Sequence, residues 1–200
     1  MRDELTVYVV DDDAGVRDSL ALMLGLAGYR TALFAHAEAF LAAWRAEWAG
    51  CVVADLRLPG KSGLELQAEL RARGAMLPFI IITAHGDVPS ARSAFQADAV
   101  DFLEKPFDHA QLRAGIETAF SREDARLARA GDTAKLAALT AREREVLELA
   151  AKGLHAKEIG SALGISPRTV EVHKTRIMEK LGARNLAELV RFALGAGREE

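Results

Sequence analysis

Four apolar runs in this 200-residue chain end in groups able to do chemistry. Val7-Tyr8-Val9-Val10 runs into Asp11-Asp12-Asp13, Cys51–Ala54 into Asp55, Phe79–Ile82 into Thr83, and Ala99–Leu103 into Glu104-Lys105-Pro106. Carboxylates brought close together repel, by ~4 kcal/mol for a pair 4 Å apart at an effective dielectric near 20. Asp11, Asp12 and Asp55, once gathered, must therefore retain a proton or share a divalent cation. A sparse, all-oxygen set completed by water suits Mg²⁺. Asp55, at a strand end before the loop LRLPGKSG, is placed to act as a nucleophile. The metal, the Lys105 ammonium and the Thr83 hydroxyl would each favour charge building on a phosphoryl group.

Only a particular architecture brings these positions together. The β-rich runs are Leu5–Val10, Tyr29–Phe34, Cys51–Ala54, Phe79–Thr83 and Ala99–Leu103, and helical patterns fill 14–27, 37–47, 64–73, 88–97 and 108–120. Strands alternating with helices imply parallel strands joined by right-handed crossovers. VYVV and FIII are apolar on both alternating faces, as strands covered on each side must be. In a doubly wound sheet, ligands bind outside the carboxyl ends of the strands, which gathers Asp11, Asp12, Asp55, Thr83 and Lys105 at one crevice. Asp13 reads as the N-cap of the following helix.

Composition bounds the rest. Half the residues are hydrophobic, enough for a proper core. One cysteine, Cys51, excludes an internal disulfide framework and fits a reducing compartment. No segment approaches 18 apolar residues and MRDELTVYVV lacks a leader pattern, so a soluble cytoplasmic chain without membrane contact is expected. Residues 1–122 carry 12 Lys/Arg against 17 Asp/Glu, whereas 123–200 carry 14 against 12 and 155–184 carry 6 against 3. An acidic front and a mildly basic patch behind suggest two tasks. From about Ser121 to Leu136 the stretch SREDARLARAGDTAKL reads as a linker, helical at its start and broken at Gly131-Asp132-Thr133. Beyond it only helical patterns occur.

The stretches VYVVDDDAGVRDSL, VADLRLPGKSGLEL, IIITAHGDVPSA and AVDFLEKPF closely resemble the receiver domain of two-component response regulators, above all its FixJ-like branch. The resemblance covers about residues 4–120. It implies a flavodoxin-like fold with strand order 2-1-3-4-5, Asp55 as phosphoacceptor, and Asp11 and Asp12 as the acid pair for Mg²⁺, with the Arg57 backbone carbonyl as a further metal contact. It also implies that Thr83 and Phe102 are switch positions and that Lys105, before a commonly cis proline bond, contacts the phosphoryl group. Taken singly, Thr83 is an ordinary strand-end hydroxyl, Lys105 a solvated charge, His85 a loop histidine and Phe102 plain core; five positions in order outweigh those readings. One departure is Ala97-Asp98-Ala99, where the family often has Ala-Gly-Ala. Asp tolerates the left-handed conformation that Gly would supply, at some cost, so the turn should survive with an altered surface charge.

The tail has its own punctuation. Thr140-Ala-Arg-Glu143 is a capping box, Ala156–Leu163 a short helix, and Gly164-Ile165 a turn. Ser166-Pro167 is an N-cap with proline at the first helical position, and Gly153, Gly164 and Gly182 suit C-terminal caps. The helix 167–181 has Val170, Ile177 and Leu181 on one face and Arg168, Glu171, Val172 and Thr175 on the other, the arrangement of a helix-turn-helix. Arg168, His173, Lys174 and Lys180 can bind phosphates. Residues 137–195 resemble the LuxR-type, or FixJ/NarL, DNA-binding domain, with SPRTVEVHKTRIMEKL as its recognition motif. That resemblance places Glu171, Val172 and Thr175 toward bases and Arg168, Thr169, His173 and Lys174 nearer the backbone. Ala156 stands where the family commonly has Asn, which implies the loss of a cap or a phosphate contact.

Together these readings give a receiver over 1–121, a linker over 122–136 and a LuxR-type helix-turn-helix domain over 137–200. The expected function is a transcription regulator: a partner histidine kinase phosphorylates Asp55, and the phosphorylated chain forms a homodimer on double-stranded DNA. It is a phosphoacceptor taking part in its own Mg²⁺-dependent phosphotransfer and slow dephosphorylation, not an enzyme of steady turnover. Relief of inhibition by the receiver is an alternative route to the same output. Two other readings are an aspartyl-phosphate hydrolase and a constitutive DNA-binding protein. Against the first, Arg57 stands where such enzymes place a second Asp; against the second stands the full acid set.

Overall fold

The computed structural model describes residues 5–196, so the first four residues of the stretch read for a leader, and the last four of the second domain, lie outside the described residues. The chain divides into two compact units, Met1–Ala125 and Arg126–Glu200. In the first, β1 (Thr6–Val10), β2 (Arg30–Phe34), β3 (Gly50–Asp55), β4 (Phe79–Thr83) and β5 (Asp101–Glu104) form one parallel sheet in the order β2-β1-β3-β4-β5. Helices α1 (Ala14–Leu26), α2 (Ala37–Ala43), α3 (Gly63–Ala72) and α4 (Val88–Gln96) make the connections, and α5 (His109–Ala137) follows β5 and continues past Ala125. The alternation of strand side chains builds two cores. Tyr8, Val10, Val52, Ala54, Phe79 and Ile81 pack with Phe40, Leu66 and Leu70. Val7, Val9, Val53, Ile80 and Ile82 pack with Leu20, Leu24, Leu112, Ile116 and Phe120. The central strands β3 and β4 are buried along their whole length, which is why their apolar runs show no polar alternation.

Three local features refine the sequence reading. The helix expected over 37–47 stops at Ala43, because the Arg45 guanidinium donates to the carbonyls of Ala42, Ala43 and Trp44 at 3.1, 2.7 and 2.8 Å. The chain then turns so that Trp48 stacks on Tyr8, with ring centroids 4.7 Å apart and planes 3° from parallel. The break expected at Gly131-Asp132-Thr133 does not occur: α5 runs on to Ala137, since one glycine costs a helix only about 1 kcal/mol relative to alanine and strong helix formers lie on either side of the triplet, Ala125–Ala130 before it and Ala134-Lys135-Leu136 after it. Asp98 adopts the left-handed conformation foreseen for it, with φ 59°.

The second unit contains α6 (Ala141–Ala151), α7 (Ala156–Leu163), α8 (Pro167–Leu181) and α9 (Leu186–Ala196). Val146, Leu147, Ile159, Val170, Ile177, Leu181, Leu189 and Phe192 form its core. The capping box Thr140/Glu143 opens α6, Ser166 caps α8, and Gly164 and Gly182 close α7 and α8 in the left-handed conformation. Ala156 proves to be the first residue of α7; the preceding His155 backbone N–H is taken by Glu158 at 2.7 Å, but no side chain caps the first-turn N–H groups.

At Gly160 α7 and the turn into α8 approach closely: a Cβ there would stand 2.6 Å from the Ile165 carbonyl oxygen. Gly160→Ala should therefore destabilise the second unit by about 1–3 kcal/mol, the usual range for overpacking. Differential scanning calorimetry should show its transition lowered and that of the first unit unmoved; an unchanged transition would contradict the close approach.

Candidate functional site

The sheet delivers the predicted acids to one place. Pairing of Val10 with Ala54 brings the ends of β1 and β3 side by side, so Asp11 and Asp55 leave the sheet as neighbours. Both are buried, at 1% and 8% exposure. Between them lies the Lys105 ammonium, 2.7 Å from Asp11 Oδ2 and 2.5 Å from Asp55 Oδ2. The second oxygen of each carboxylate is also used: Asp11 Oδ1 accepts from the Asp13 N–H at 2.9 Å and Asp55 Oδ1 from the Arg57 N–H at 2.8 Å. Lys105 is positioned by its own N–H, which donates to the Thr83 carbonyl at 2.7 Å, and the Lys105–Pro106 bond is cis.

The electrostatics follow from burial. Desolvation raises the Asp11 pKa, although the hydrogen bonds from Lys105 and Asp13 pull it the other way. Burial disfavours charge on Lys105, but its hydrogen bonds to Asp11 and Asp55 prevail and raise its pKa. Two buried carboxylates thus share one partly exposed ammonium.

Asp12 is exposed at the rim of that crevice. Its carboxylate, those of Asp11 and Asp55, and the Arg57 carbonyl are all oxygen donors, a chemistry that fits a hard dication keeping several waters. Among the described residues no three His, Cys, Asp or Glu side chains converge closely enough to enclose a metal alone. Asp13 is the helix cap expected of it, accepting from the Gly15 and Val16 N–H groups. Arg17 was not foreseen: its guanidinium donates to the carbonyls of Asp11 and Asp12 at 2.7 and 3.0 Å, fixing the backbone from which both acids project. Nothing in its local sequence sets it apart from other surface arginines.

Thr83 is fully buried, and its hydroxyl is engaged by the β4–α4 loop. It donates to the His85 carbonyl at 3.3 Å and accepts from the His85 N–H at 3.2 Å. Phe102 is half-buried on β5, with its ring against Gly86 of the same loop.

The second unit offers a polar helix face. Arg168, Thr169, Glu171, Val172 and Thr175 are exposed on α8, while His173 and Lys174 are half-buried. Val172, at 45% exposure, is a large apolar side chain held open to solvent. Lys174 rests 3.2 Å from Glu171, and Thr175 donates to the Glu171 carbonyl at 3.0 Å. The Thr169 hydroxyl is shared with the Ser166 cap at 2.8 Å. Lys180, expected as a phosphate contact, is exposed at the end of α8 and paired within the domain, 2.6 Å from Glu143 and 3.3 Å from the Ala138 carbonyl.

Comparison with known proteins agrees with both halves. Residues 7–117 match the response regulator receiver domain, and residues 137–193 match the bacterial regulatory proteins of the luxR family. The transcriptional regulatory protein FixJ of Azorhizobium caulinodans is 48% identical over 98% of this chain and 95% of its own length. The C4-dicarboxylate transport transcriptional regulatory protein DctR of Rhodobacter capsulatus is 41% identical over 94% of this chain and 98% of its own. Among solved structures, the response regulator StyR superposes with a TM-score of 0.76 at 42% identity, over 96% of this chain and 98% of that one. Full-length FixJ from B. japonicum superposes with a TM-score of 0.60 at 44% identity, over 98% and 99%.

The Lys180 pair makes a pH prediction. The Lys180 ammonium and the Thr140 N–H hold the Glu143 carboxyl down at about 2. A depressed carboxylate adds stability that is complete above the unfolded-state value near 4.5 and vanishes as pH falls toward 2. The second unit should therefore lose stability between about pH 4.5 and 2, and Glu143→Gln should flatten that loss. Lys180→Ala should cost about 1–2 kcal/mol at neutral pH. Chemical denaturation against pH checks both.

Proposed function

The chain belongs to the response regulators that join a receiver domain to a LuxR-type DNA-binding domain, a FixJ-like transcription regulator, and from that premise we propose that phosphorylation of Asp55 by a histidine kinase controls its dimerisation and DNA binding. The observation that carries the reading is the Lys105 ammonium shared by Asp11 and Asp55, in the same chain as an exposed helix-turn-helix face.

Asp55 attacks the phosphorus of a phosphohistidine; an O–P bond forms, the N–P bond breaks, and the departing imidazole takes up a proton. Asp11, Asp12, Asp55 and the Arg57 carbonyl would hold Mg²⁺, which when bound offsets negative charge on the phosphoryl oxygens. Lys105 moves its hydrogen bond from Asp55 Oδ2 to the new phosphoryl group. The Thr83 hydroxyl, released from the His85 carbonyl, donates to another phosphoryl oxygen, and Phe102 follows the loop. The face formed by α4 and β5 then pairs two chains. Val88 at 81% and Phe95 at 52% exposure supply apolar surface on α4 for that pairing. The chain acts once per phosphorylation, as a switch with slow self-dephosphorylation, and not as an enzyme of steady turnover. In DNA binding, Arg168, Thr169, His173 and Lys174 contact the backbone while Glu171, Val172 and Thr175 face the bases.

Two measurements test this. With a small-molecule phosphodonor and Mg²⁺, the wild-type protein should shift toward dimer and tighten on a selected operator, and Asp55→Asn should abolish both responses; an unaltered response in that variant would refute the proposal. Lys174→Ala should lower the slope of log affinity against log salt by about one, whereas Lys180→Ala should leave it unchanged because its charge is committed to Glu143. Equal slopes for the two variants would reverse that assignment.

A further inference from the structure

Helix α4 is attached unequally at its two ends. Of its nine residues only Ala94 is fully buried, so side-chain packing alone holds it loosely. Its C-terminal end is tied down. Gln67 of α3, 1% exposed, donates its amide N–H to the carbonyl of Ala97, the α4 cap residue, at 2.7 Å. The orientation is fixed, since only the NH₂ side of an amide can pair with a carbonyl; Gln67 Oε1 has no partner among the described residues. One turn further along α3, Arg71 reaches Asp98 Oδ2 at 3.2 Å, and Arg122 of α5 reaches Asp98 Oδ1 at 3.3 Å. The Asp98 and Ala99 N–H groups close the helix on the carbonyls of Phe95 and Ala94, both at 2.9 Å. Exposed ion pairs contribute little individually, so the buried Gln67 bond is the main tether and the two arginines fix its direction.

The N-terminal end is held differently. The short bond there, Ser90 N–H to the Asp87 cap at 2.6 Å, lies within the helix start itself and would move with it. The approach loop is tied to the sheet by longer bonds: Gly86 N–H to Glu104 at 3.3 Å, His85 N–H to the Thr83 hydroxyl at 3.2 Å and that hydroxyl to the His85 carbonyl at 3.3 Å. The Thr83 bonds are the ones the proposed phosphoryl group would compete for.

We propose that α4 responds to phosphorylation by swinging its N-terminal end about a fixed pivot at Ala97–Asp98, with Gln67 and Asp98 as positioning residues. The idea rests on the phosphorylation reading above. Asp98 is central to it. A glycine in that left-handed turn would adopt the same backbone and offer no anchor to Arg71 or Arg122; this chain accepts the less favourable residue and gains a bridge between helices on opposite faces of the sheet.

Amide hydrogen exchange on the full chain, with and without Mg²⁺ and beryllium fluoride as an acyl-phosphate mimic, tests the pivot. Exchange should change over residues 84–92 and stay constant over 95–99. In Gln67→Leu and Asp98→Gly, exchange over 95–99 should rise and become sensitive to the mimic. The ratio of DNA affinities with and without phosphodonor should fall about three- to tenfold, within the range by which coupling residues act. Asp98→Gly keeps the turn without strain and guards against simple misfolding. A uniform change along the whole helix in the wild-type protein, or an unchanged affinity ratio in both variants, overturns the pivot alone. No change anywhere in the receiver overturns the phosphorylation reading with it.

Discussion

A single ammonium between two buried carboxylates is the constraint on which the receiver is arranged. The parallel sheet places Asp11 and Asp55 at adjacent strand ends because Val10 and Ala54 are in register. Without a counter-ion the two would repel by several kcal/mol at the separations a crevice imposes. Lys105 relieves this at 2.7 and 2.5 Å, and it can do so because β5 ends beside β4, where the Thr83 carbonyl holds the lysine backbone. The relief is incomplete: one positive charge faces two negative ones, with Asp12 at the rim. An acid cluster short of positive charge is what the proposed dication would neutralise, and Lys105 is already aimed where the proposed phosphoryl group would sit. Resting stability and readiness for chemistry thus come from the same three side chains.

The second domain applies the same rule to a different end. Glu143, 4% exposed at its side chain, closes a capping box and is matched by Lys180 from the last turn of α8. That pair joins the start of α6 to the end of the helix bearing the exposed polar face. Here the charge is fully answered, so the cluster attracts nothing and serves to position. The contrast between an answered and an unanswered buried charge separates a structural ion pair from a candidate site.

How much of this was legible in the sequence depends on the range of the interaction. Strands β1, β3 and β4 were readable because burial on both faces leaves an uninterrupted apolar run, and Asp13, Ser166 and the Thr140/Glu143 box because caps act within four residues. Asp98 was readable as a left-handed residue only through the resemblance, since the family often has glycine at that position. The end of α2 was not: its stop depends on Arg45 folding back over three carbonyls and on Trp48 finding Tyr8, 40 residues upstream. The continuity of α5 through Gly131-Asp132-Thr133 was missed because that break signal spans three residues and is weak beside the longer helix-forming stretches before and after it. The pairing of Lys180 with Glu143 was not legible for the same reason that hid the end of α2, since its partner lies 37 residues away. At the site, the residue types were plain, whereas Arg17 and Gln67 act through backbone carbonyls and carry no signature.

The energy available to the switch is small, and the fold is built to make it suffice. Moving the Thr83 hydroxyl from a neutral His85 carbonyl to an anionic phosphoryl oxygen gains only the difference between a neutral and a charged hydrogen bond, about 1 kcal/mol. Lys105 gains less, because it leaves one carboxylate oxygen for another anion. A shift between two states cannot exceed the differential free energy supplied, so a few kcal/mol must move whatever responds. A helix with one buried residue and a loop held by 3.2–3.3 Å bonds can be moved at that cost; β3 and β4, buried along their length, cannot. If Asp55 is phosphorylated as proposed, the thin attachment of α4 is what that chemistry would require, and the exposed apolar Val88 and Phe95 on α4 are where a second chain would supply the remainder of the driving force.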